Sequence, residues 1–153
     1  IHVEMLRERN VRTQRISHQQ YLILIDALRA PEKWAAIIGY HTGWRLGRIL
    51  DLTWDRVDWA RLVLRPPERQ EEQKRVGAAP IYGGMVEALA ACRRRADETG
   101  SSYVVHRLDG RPLVDIRKAW QAATKAAKLP GFRFHDLRAC AASNLIDAGV
   151  PQV

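Results

Sequence analysis

Residues 42–54 read TGWRLGRILDLTW, and this stretch places a single arginine at the point where a helix restarts after a Thr-Gly break. A glycine in this position commonly ends a helix, because it adopts the left-handed backbone conformation without strain. Arg45 follows directly on Trp44 and precedes an apolar run at helical spacing, so it does not belong to a polar helix face. The Arg45 side chain therefore either pairs with Asp51 or Asp55 and stabilises the helix, or binds an anionic ligand.

Composition narrows the class of ligand. The chain has 153 residues, of which 46% are hydrophobic and 27% charged, which is typical of one globular domain with a sizeable core. Lys and Arg number 25 against 17 acidic residues, giving a formal net charge of +8 and a pI near 10.1. This balance favours a polyanionic partner, with nucleic acid first and an anionic membrane surface second.

Several locations and site types are disfavoured by the sequence. No uninterrupted apolar run approaches the roughly 20 residues that a membrane span requires, and the first fifteen residues do not resemble a signal peptide. Cys92 and Cys140 lie inside predicted helices without a disulfide framework, so we expect buried thiols in a reducing compartment and a cytosolic protein. The histidines lack metal-ligand spacing, and we expect no metal site.

The pattern of apolar residues and helix caps predicts a mainly helical α+β fold. Ser17 and Gln20 have the spacing of a capping box, Pro31 suits a first helical turn, and Gly43 and Gly149 suit helix ends. The predicted helices cover 17–30, 31–43, 46–52, 83–100, 114–129 and 132–149. Between them, 56–66 and 77–82 carry strand-type residues, which predicts a small sheet of two or three antiparallel strands.

A second informative stretch is HDLRACAAS at 135–143. His135 and Arg138 are three residues apart and would share one helix face. Together they can donate several hydrogen bonds to one anionic group, and the planar arginine fork matches two phosphate oxygens. Taken alone, the pair could equally be solvated or part of a helix cap.

The two stretches become specific when they are read together with the basic segment between them. TGWRLGRILDLTW, a basic hairpin ending in API, and FRFHDLRACAASNLIDAG follow in that order, and the whole from about Ile16 onward resembles the catalytic domain of tyrosine recombinases, the phage-integrase family. The resemblance implies site-specific DNA strand cleavage and rejoining through a 3′-phosphotyrosyl intermediate. It also implies double-stranded DNA as the partner, a homo-oligomer on DNA, no metal or nucleotide cofactor, no membrane, and a cytoplasmic, nucleoid-associated protein of bacterial or phage origin.

The resemblance also implies roles for individual residues. Arg45 and Arg138 match the two arginines that bind the non-bridging oxygens of the scissile phosphate, and His135 matches the residue that assists proton transfer there. The family takes a general acid from a lysine of the hairpin, and Lys74 is the lysine that this hairpin offers, unless it is only a solvated loop cation. Arg75 is its neighbour and a DNA-binding candidate. We expect the loop around 68–76 to be mobile without DNA, because it is polar.

Lys118 and Lys125 are further candidates for DNA binding. They are seven residues apart, which is about two helical turns, so they would lie on one face of their predicted helix. A stripe of cations on such a face can follow a phosphate backbone. An ordinary solvated face is the alternative.

Three departures from the family pattern bear on activity. Arg48 stands where the family usually has an acidic residue, and Ala139 stands where it usually has histidine. The four tyrosines all precede the second motif, whereas the family's nucleophile follows it. We therefore expect residues 1–153 to form one catalytic domain, truncated before the nucleophile and without a core-binding domain, which is inactive alone. The alternatives are a catalytically inactive DNA-binding remnant and a protein-interaction module that retains the fold.

Overall fold

The computed structural model describes residues 14–68, 76–147 and 149. Its helices are α1 (His18–Ala27), α2 (Glu32–Thr42), α3 (Leu46–Leu50), α4 (Gly84–Thr99), α5 (Arg117–Ala126) and α6 (Leu137–Asp147), with 3₁₀ turns at Trp54–Arg56 and Phe134–Asp136. Its strands are β1 (Val57–Asp58), β2 (Val63–Leu64) and β3 (Ala79–Pro80). The predicted mainly helical α+β fold with a small antiparallel sheet is confirmed.

The ends of the first two helices follow from local sequence signals. The Ser17 hydroxyl accepts the Gln20 backbone N–H at 3.1 Å, and the Gln20 side chain accepts the Ser17 N–H at 2.8 Å. This reciprocal pair is the predicted capping box, and it satisfies two backbone donors that the first turn leaves free. At the C-terminal end of α2, Gly43 has φ +70° and donates its N–H to the Gly39 carbonyl at 2.9 Å.

The three strands form one antiparallel sheet in the order β1–β2–β3. Val57 pairs with Leu64, and Val63 pairs with Pro80. The turn between β1 and β2 is closed by Asp58, whose carboxylate accepts the Arg61 N–H at 3.0 Å. The segment between β2 and β3 contains the predicted hairpin loop, and residues 69–75 of that loop lie outside the described part of the chain.

Helix α2 is the centre of the packing. It contacts α6, α4, α3 and α1, and three of its side chains, Ala35, Ala36 and Ile38, are fully or almost fully buried. The small alanines allow neighbouring helices to approach closely. The largest fully buried side chains come from several helices, from β2 and from the segment after α3: Leu24, Ile38, Ile49, Leu52, Leu64, Met85, Leu89 and Leu137. Burial of each such side chain stabilises the fold by about 2 kcal/mol relative to leaving it exposed.

The predicted helix over 132–149 is wrong at its start. Phe134–Asp136 form a 3₁₀ turn, and the α-helix begins only at Leu137. The Asp136 carboxylate accepts the Arg133 backbone N–H at 2.8 Å, which closes a tight turn before the helix. From Leu137 onward the segment is helical as predicted, and Leu137 and Ala141, about one turn apart, are both buried.

Two further expectations can be compared with the structure. Cys92 and Cys140 are free and buried, as predicted, and burial raises the pKa of the Cys92 thiol well above its usual range. None of the helices in the described ranges is long and apolar enough to cross a bilayer.

Candidate functional site

Arg45 is the N-cap residue of α3 and is exposed. Its backbone is extended, with φ −65° and ψ 146°, and its carbonyl accepts the N–H groups of Arg48 at 3.0 Å and Ile49 at 3.2 Å. Trp44 on one side is buried, and Leu46 on the other packs against the core. The backbone of Arg45 is therefore fixed while its guanidinium projects into solvent.

The structural explanation for Arg45, a pair with Asp51 or Asp55, is not what is observed. Over the described ranges, no hydrogen bond or ion pair involves the Arg45 side chain. Asp55 instead accepts a short hydrogen bond from the Thr53 hydroxyl and lies 3.6 Å from Arg56 Nε. The Thr53 hydrogen bond lowers the pKa of the exposed Asp55 carboxyl. The Arg45 guanidinium is thus available to an external anion.

His135 and Arg138 project from the junction between the second 3₁₀ turn and α6. Both side chains are exposed, while Asp136 and Leu137 between them are buried. The side chains of His135 and Arg138 therefore lie on the outer side of this junction. No hydrogen bond or ion pair engages either side chain within residues 14–68 and 76–147.

The two motifs, which are distant in sequence, meet through Gly43. A Cβ at Gly43 would lie 3.1 Å from the Ala141 Cβ and 3.8 Å from both the Cα and the carbonyl oxygen of Arg138. The Asn144 side chain reinforces this contact by donating to the Tyr40 carbonyl at 3.1 Å. Because Gly43 lies two residues before Arg45, the start of α3 and the start of α6 are neighbours.

Asp136 is a residue whose importance sequence reasoning missed. Its side chain is 4% exposed and lies 3.1 Å from Arg133 Nη2, in addition to the hydrogen bond from the Arg133 backbone N–H. Because the Arg133 side chain is 63% exposed, we attribute most of the stabilisation to the backbone hydrogen bond rather than to the ion pair. Arg133 and Asp136 are three residues apart, and this capping spacing could have been recognised in FRFHD.

We expect the substitution Asp136→Ala to lower the free energy of unfolding by about 2 kcal/mol, because it removes the buried carboxylate that accepts the Arg133 backbone N–H. Asp136→Asn retains an acceptor, and we expect about half that loss. Asp115→Ala is the matched control, since that exposed carboxylate accepts the Arg117 N–H at 2.9 Å and its loss should cost about 0.5–1 kcal/mol. Urea denaturation measures all three. Equal losses for Asp136→Ala and Asp115→Ala would contradict this account.

The remaining predicted site residues belong to the hairpin loop and to α5. Lys74 and Arg75 lie outside the described residues, as does most of the loop that we expected to be mobile. Lys118 and Lys125 are exposed on α5, a helix that packs against α1. Neither lysine takes part in a hydrogen bond or ion pair with another described residue.

The burial of Arg48 is a feature of the site that the sequence did not predict. Sequence reasoning noted it only as a basic residue at a usually acidic position, yet it is 5% exposed. Its Nη1 donates to the Pro67 carbonyl at 2.8 Å. Ala139, the other departure, is half-buried on α6.

Tyr21 and Tyr82 do not have the surroundings of a nucleophile. Tyr21 is buried and stacks on Tyr40 with ring centroids 3.4 Å apart. Burial, with the neighbouring Tyr40, raises the pKa of Tyr21 far above its usual range. Burial also raises the pKa of Tyr82. Within residues 14–68, 76–147 and 149, no three His, Cys, Asp or Glu side chains form a group that could hold a metal ion.

Comparison with known proteins decides the family. Residues 14–153 match the Phage integrase family. The chain belongs to this family. It is 30% identical over 165 aligned positions to the integrase of Salmonella phage P22, covering 97% of this chain and 41% of that protein. This chain therefore spans about two fifths of the length of that curated relative.

Solved structures establish the fold of this phage-integrase family member. The catalytic core of lambda integrase superposes with a TM-score of 0.66 at 20% identity, covering 88% of this chain and 84% of that one. The Tn1549 transposon integrase, solved in complex with circular intermediate DNA, gives a TM-score of 0.70 at 14% identity, covering 95% of this chain and 56% of that one. The domain is thus a tyrosine-recombinase catalytic domain in fold.

Proposed function

We propose that residues 1–153 act as the DNA-binding catalytic domain of a site-specific tyrosine recombinase. The parent reaction is cleavage and rejoining of DNA strands through a 3′-phosphotyrosyl intermediate. The observation that carries this proposal is that Arg45 and Arg138 lie exposed on segments that meet at Gly43, and that neither side chain makes a hydrogen bond or ion pair with another described residue. Two exposed guanidinium groups on adjoining segments can both donate hydrogen bonds to one anionic group, and a phosphate suits the planar fork of each.

The proposed roles follow from the chemistry of each side chain. Arg45 and Arg138 bind the non-bridging oxygens of the scissile phosphate and stabilise charge that develops in the transition state. His135 donates a hydrogen bond to the same phosphate and assists proton transfer at the attacking oxygen. Lys74 is the proposed general acid for the departing 5′-hydroxyl, because a lysine can release its proton whereas the neighbouring Arg75 hardly can.

The proposed chemistry requires no metal ion or nucleotide cofactor, because positioned cations stabilise the phosphate charge. The attacking tyrosine is not among Tyr21, Tyr40, Tyr82 and Tyr103, so we propose that residues 1–153 alone form no covalent adduct with DNA. Double-stranded DNA is the proposed partner, with Arg75, Lys118 and Lys125 as additional phosphate contacts. A homo-oligomer assembled on DNA and a location with the bacterial nucleoid belong to the same proposal.

A catalytically inactive DNA-binding remnant is the second candidate function. It is favoured by Arg48, a buried cation where the family usually has an acid, and by Ala139 in place of histidine. The two candidates share phosphate binding and differ in strand cleavage. A protein-interaction module, by contrast, would not bind DNA in a salt-dependent manner.

We expect the chain to bind a random-sequence DNA duplex with an affinity that falls about a hundredfold between about 50 and 200 mM salt, if about four phosphates are neutralised. Removing Arg45 and Arg138 together should reduce the slope of log K against log salt by about two. Fluorescence anisotropy with a labelled duplex measures both quantities.

Arg111→Ala is the matched control for that titration. Arg111 is an exposed arginine whose Nε lies 2.7 Å from Asp109 Oδ2, and its loop lies near Pro31 at the opposite end of α2 from Gly43. That helix has 11 residues and is therefore about 16 Å long. Arg111→Ala should leave the slope unchanged. Binding that does not respond to salt would refute the proposed function.

A further inference from the structure

The starting observation is a buried charge beside the proposed phosphate site. Arg48 lies on α3, three residues after Arg45, and only 5% of it is exposed. Removing a guanidinium from water is costly unless its donors find good acceptors. The bond from Arg48 Nη1 to the Pro67 carbonyl, at 2.8 Å, is a charge-assisted hydrogen bond of that kind.

Pro67 belongs to a stiff arm that leaves the sheet. The last ladder-like contact of this arm is the bond from the Arg65 N–H to the Arg56 carbonyl at 2.8 Å. Pro66 and Pro67 then follow, and neither has a backbone N–H with which to continue the ladder. The rings of both prolines fix φ, so a hydrogen bond to the Pro67 carbonyl fixes the direction of the arm. Arg48 donates that hydrogen bond.

The helix at the other end of this hydrogen bond is short and needs external support. Helix α3 has 5 residues, which is far too few for a helix to be stable through its own backbone hydrogen bonds. Ile49 and Leu50 anchor its apolar side in the core. The Arg48 side chain is a polar anchor between α3 and the sheet, and its backbone N–H also donates to the Arg45 carbonyl.

We propose that Arg48 is a positioning residue, which connects α3 to the Pro66–Pro67 arm and thereby fixes the direction in which the Arg45 guanidinium projects. This inference rests on the proposed phosphate-binding function of Arg45. An acidic residue at this position could not make the contact, because a carboxylate has no proton to donate to a carbonyl oxygen. The hydrogen bond to the Pro67 carbonyl therefore gives the arginine at this position a structural role that a carboxylate could not fill.

A double-mutant cycle on DNA binding tests the inference. We expect Arg45→Ala to weaken binding of a labelled random-sequence duplex about tenfold in the otherwise unaltered chain, but only about twofold in the Arg48→Met background. Lys118→Ala, on the separate helix α5, should have the same effect in both backgrounds. If Arg48 positions Arg45, only the effect of Arg45→Ala on binding should shrink in the Arg48→Met background. General destabilisation would instead shrink the effects of Arg45→Ala and Lys118→Ala together.

Arg65→Met is the matched control background. It removes one arginine from the same arm, but Arg65 is an exposed residue whose side chain pairs with Asp58 at 3.3 Å. The tenfold effect of Arg45→Ala should persist there. Arg48→Lys keeps the charge and an N–H donor group but loses the planar fork, and should restore part of the coupling. It also carries the test if Arg48→Met does not fold.

Hydrogen exchange gives an independent readout in the absence of DNA. The amides of Arg48, Ile49 and Asp51, which are bonded within α3, should exchange about tenfold faster in Arg48→Met and at an unchanged rate in Arg65→Met. Unchanged exchange, or a full Arg45 effect in the Arg48→Met background, would overturn the inference and leave the proposed function intact. Salt-independent binding in which Arg45→Ala has no effect would overturn the proposed function and this inference with it.

Discussion

Replacing Arg45 by alanine is expected to slow DNA strand cleavage by about a hundredfold to a thousandfold, while the free energy of unfolding changes by less than about 0.5 kcal/mol. The two effects separate because the side chain is exposed and has no partner among the described residues. Its loss removes no hydrogen bond or ion pair within the described residues. In the proposed mechanism, however, it removes a donor that stabilises the charge developing on the phosphate.

The rate is measured in a form of the protein that includes the tyrosine nucleophile of the family, with a nicked duplex and saturating protein so that weaker binding does not contribute. Arg45→Lys keeps the charge but loses the planar fork, and we expect an intermediate loss of about tenfold. Arg111→Ala, remote from the site, should leave the rate unchanged. A rate for Arg45→Ala within twofold of the unaltered protein would remove Arg45 from the mechanism.

The sequence predicted those features of the fold that depend on neighbouring residues. The capping box at Ser17 and Gln20 was recognisable because both hydrogen bonds are made within one helical turn. The helix end at Gly43 was recognisable because left-handed backbone strongly favours glycine. The sheet was predicted from strand-type residues, although each of its strands is only two residues long.

Features that depend on distant residues were not predictable in the same way. Nothing near Arg48 in the sequence indicates that it is buried, because its acceptor, the Pro67 carbonyl, lies on another element. The 3₁₀ turn before α6 competes with a helical pattern that looks continuous in the sequence. The carboxylate of Asp136 decides that competition through one backbone hydrogen bond.

The candidate site was only partly predictable from the sequence. Arg45, His135 and Arg138 were identified from two motifs, but neither motif indicates by itself that the segments touch. The resemblance to a family supplied that expectation, and the close approach of Gly43 to α6 is the physical contact that corresponds to it. The positions proposed for Lys74 and Arg75 remain predictions from the sequence.

Substitution of Gly43 should disrupt this meeting point. We expect Gly43→Ala to lower the free energy of unfolding by about 2–3 kcal/mol, from the left-handed φ of +70° together with a Cβ only 3.1 Å from the Ala141 Cβ. Gly43→Val should be worse, because a branched side chain is less tolerant of positive φ. Since the new side chain pushes α6 away from the start of α3, duplex binding should weaken as well, by about tenfold.

Gly100→Ala separates the two causes. Gly100 ends α4 with nearly the same φ, +75°, but a Cβ there would meet nothing within 4 Å. It should therefore cost about 1 kcal/mol from backbone strain alone and leave DNA affinity unchanged. Urea denaturation and fluorescence anisotropy on the same preparations give both quantities.

The partner residue provides a final control. In the Gly43→Ala background, Ala141→Gly removes the atom that the new Cβ meets, and we expect it to restore duplex affinity to within about twofold of the unaltered chain. Stability should recover less fully, because the φ strain remains and a glycine inside α6 costs about 1 kcal/mol. If Gly43→Ala and Gly100→Ala prove equally harmful, or if Ala141→Gly fails to restore binding, then close packing of Gly43 against α6 is not what brings Arg45 and Arg138 to one phosphate.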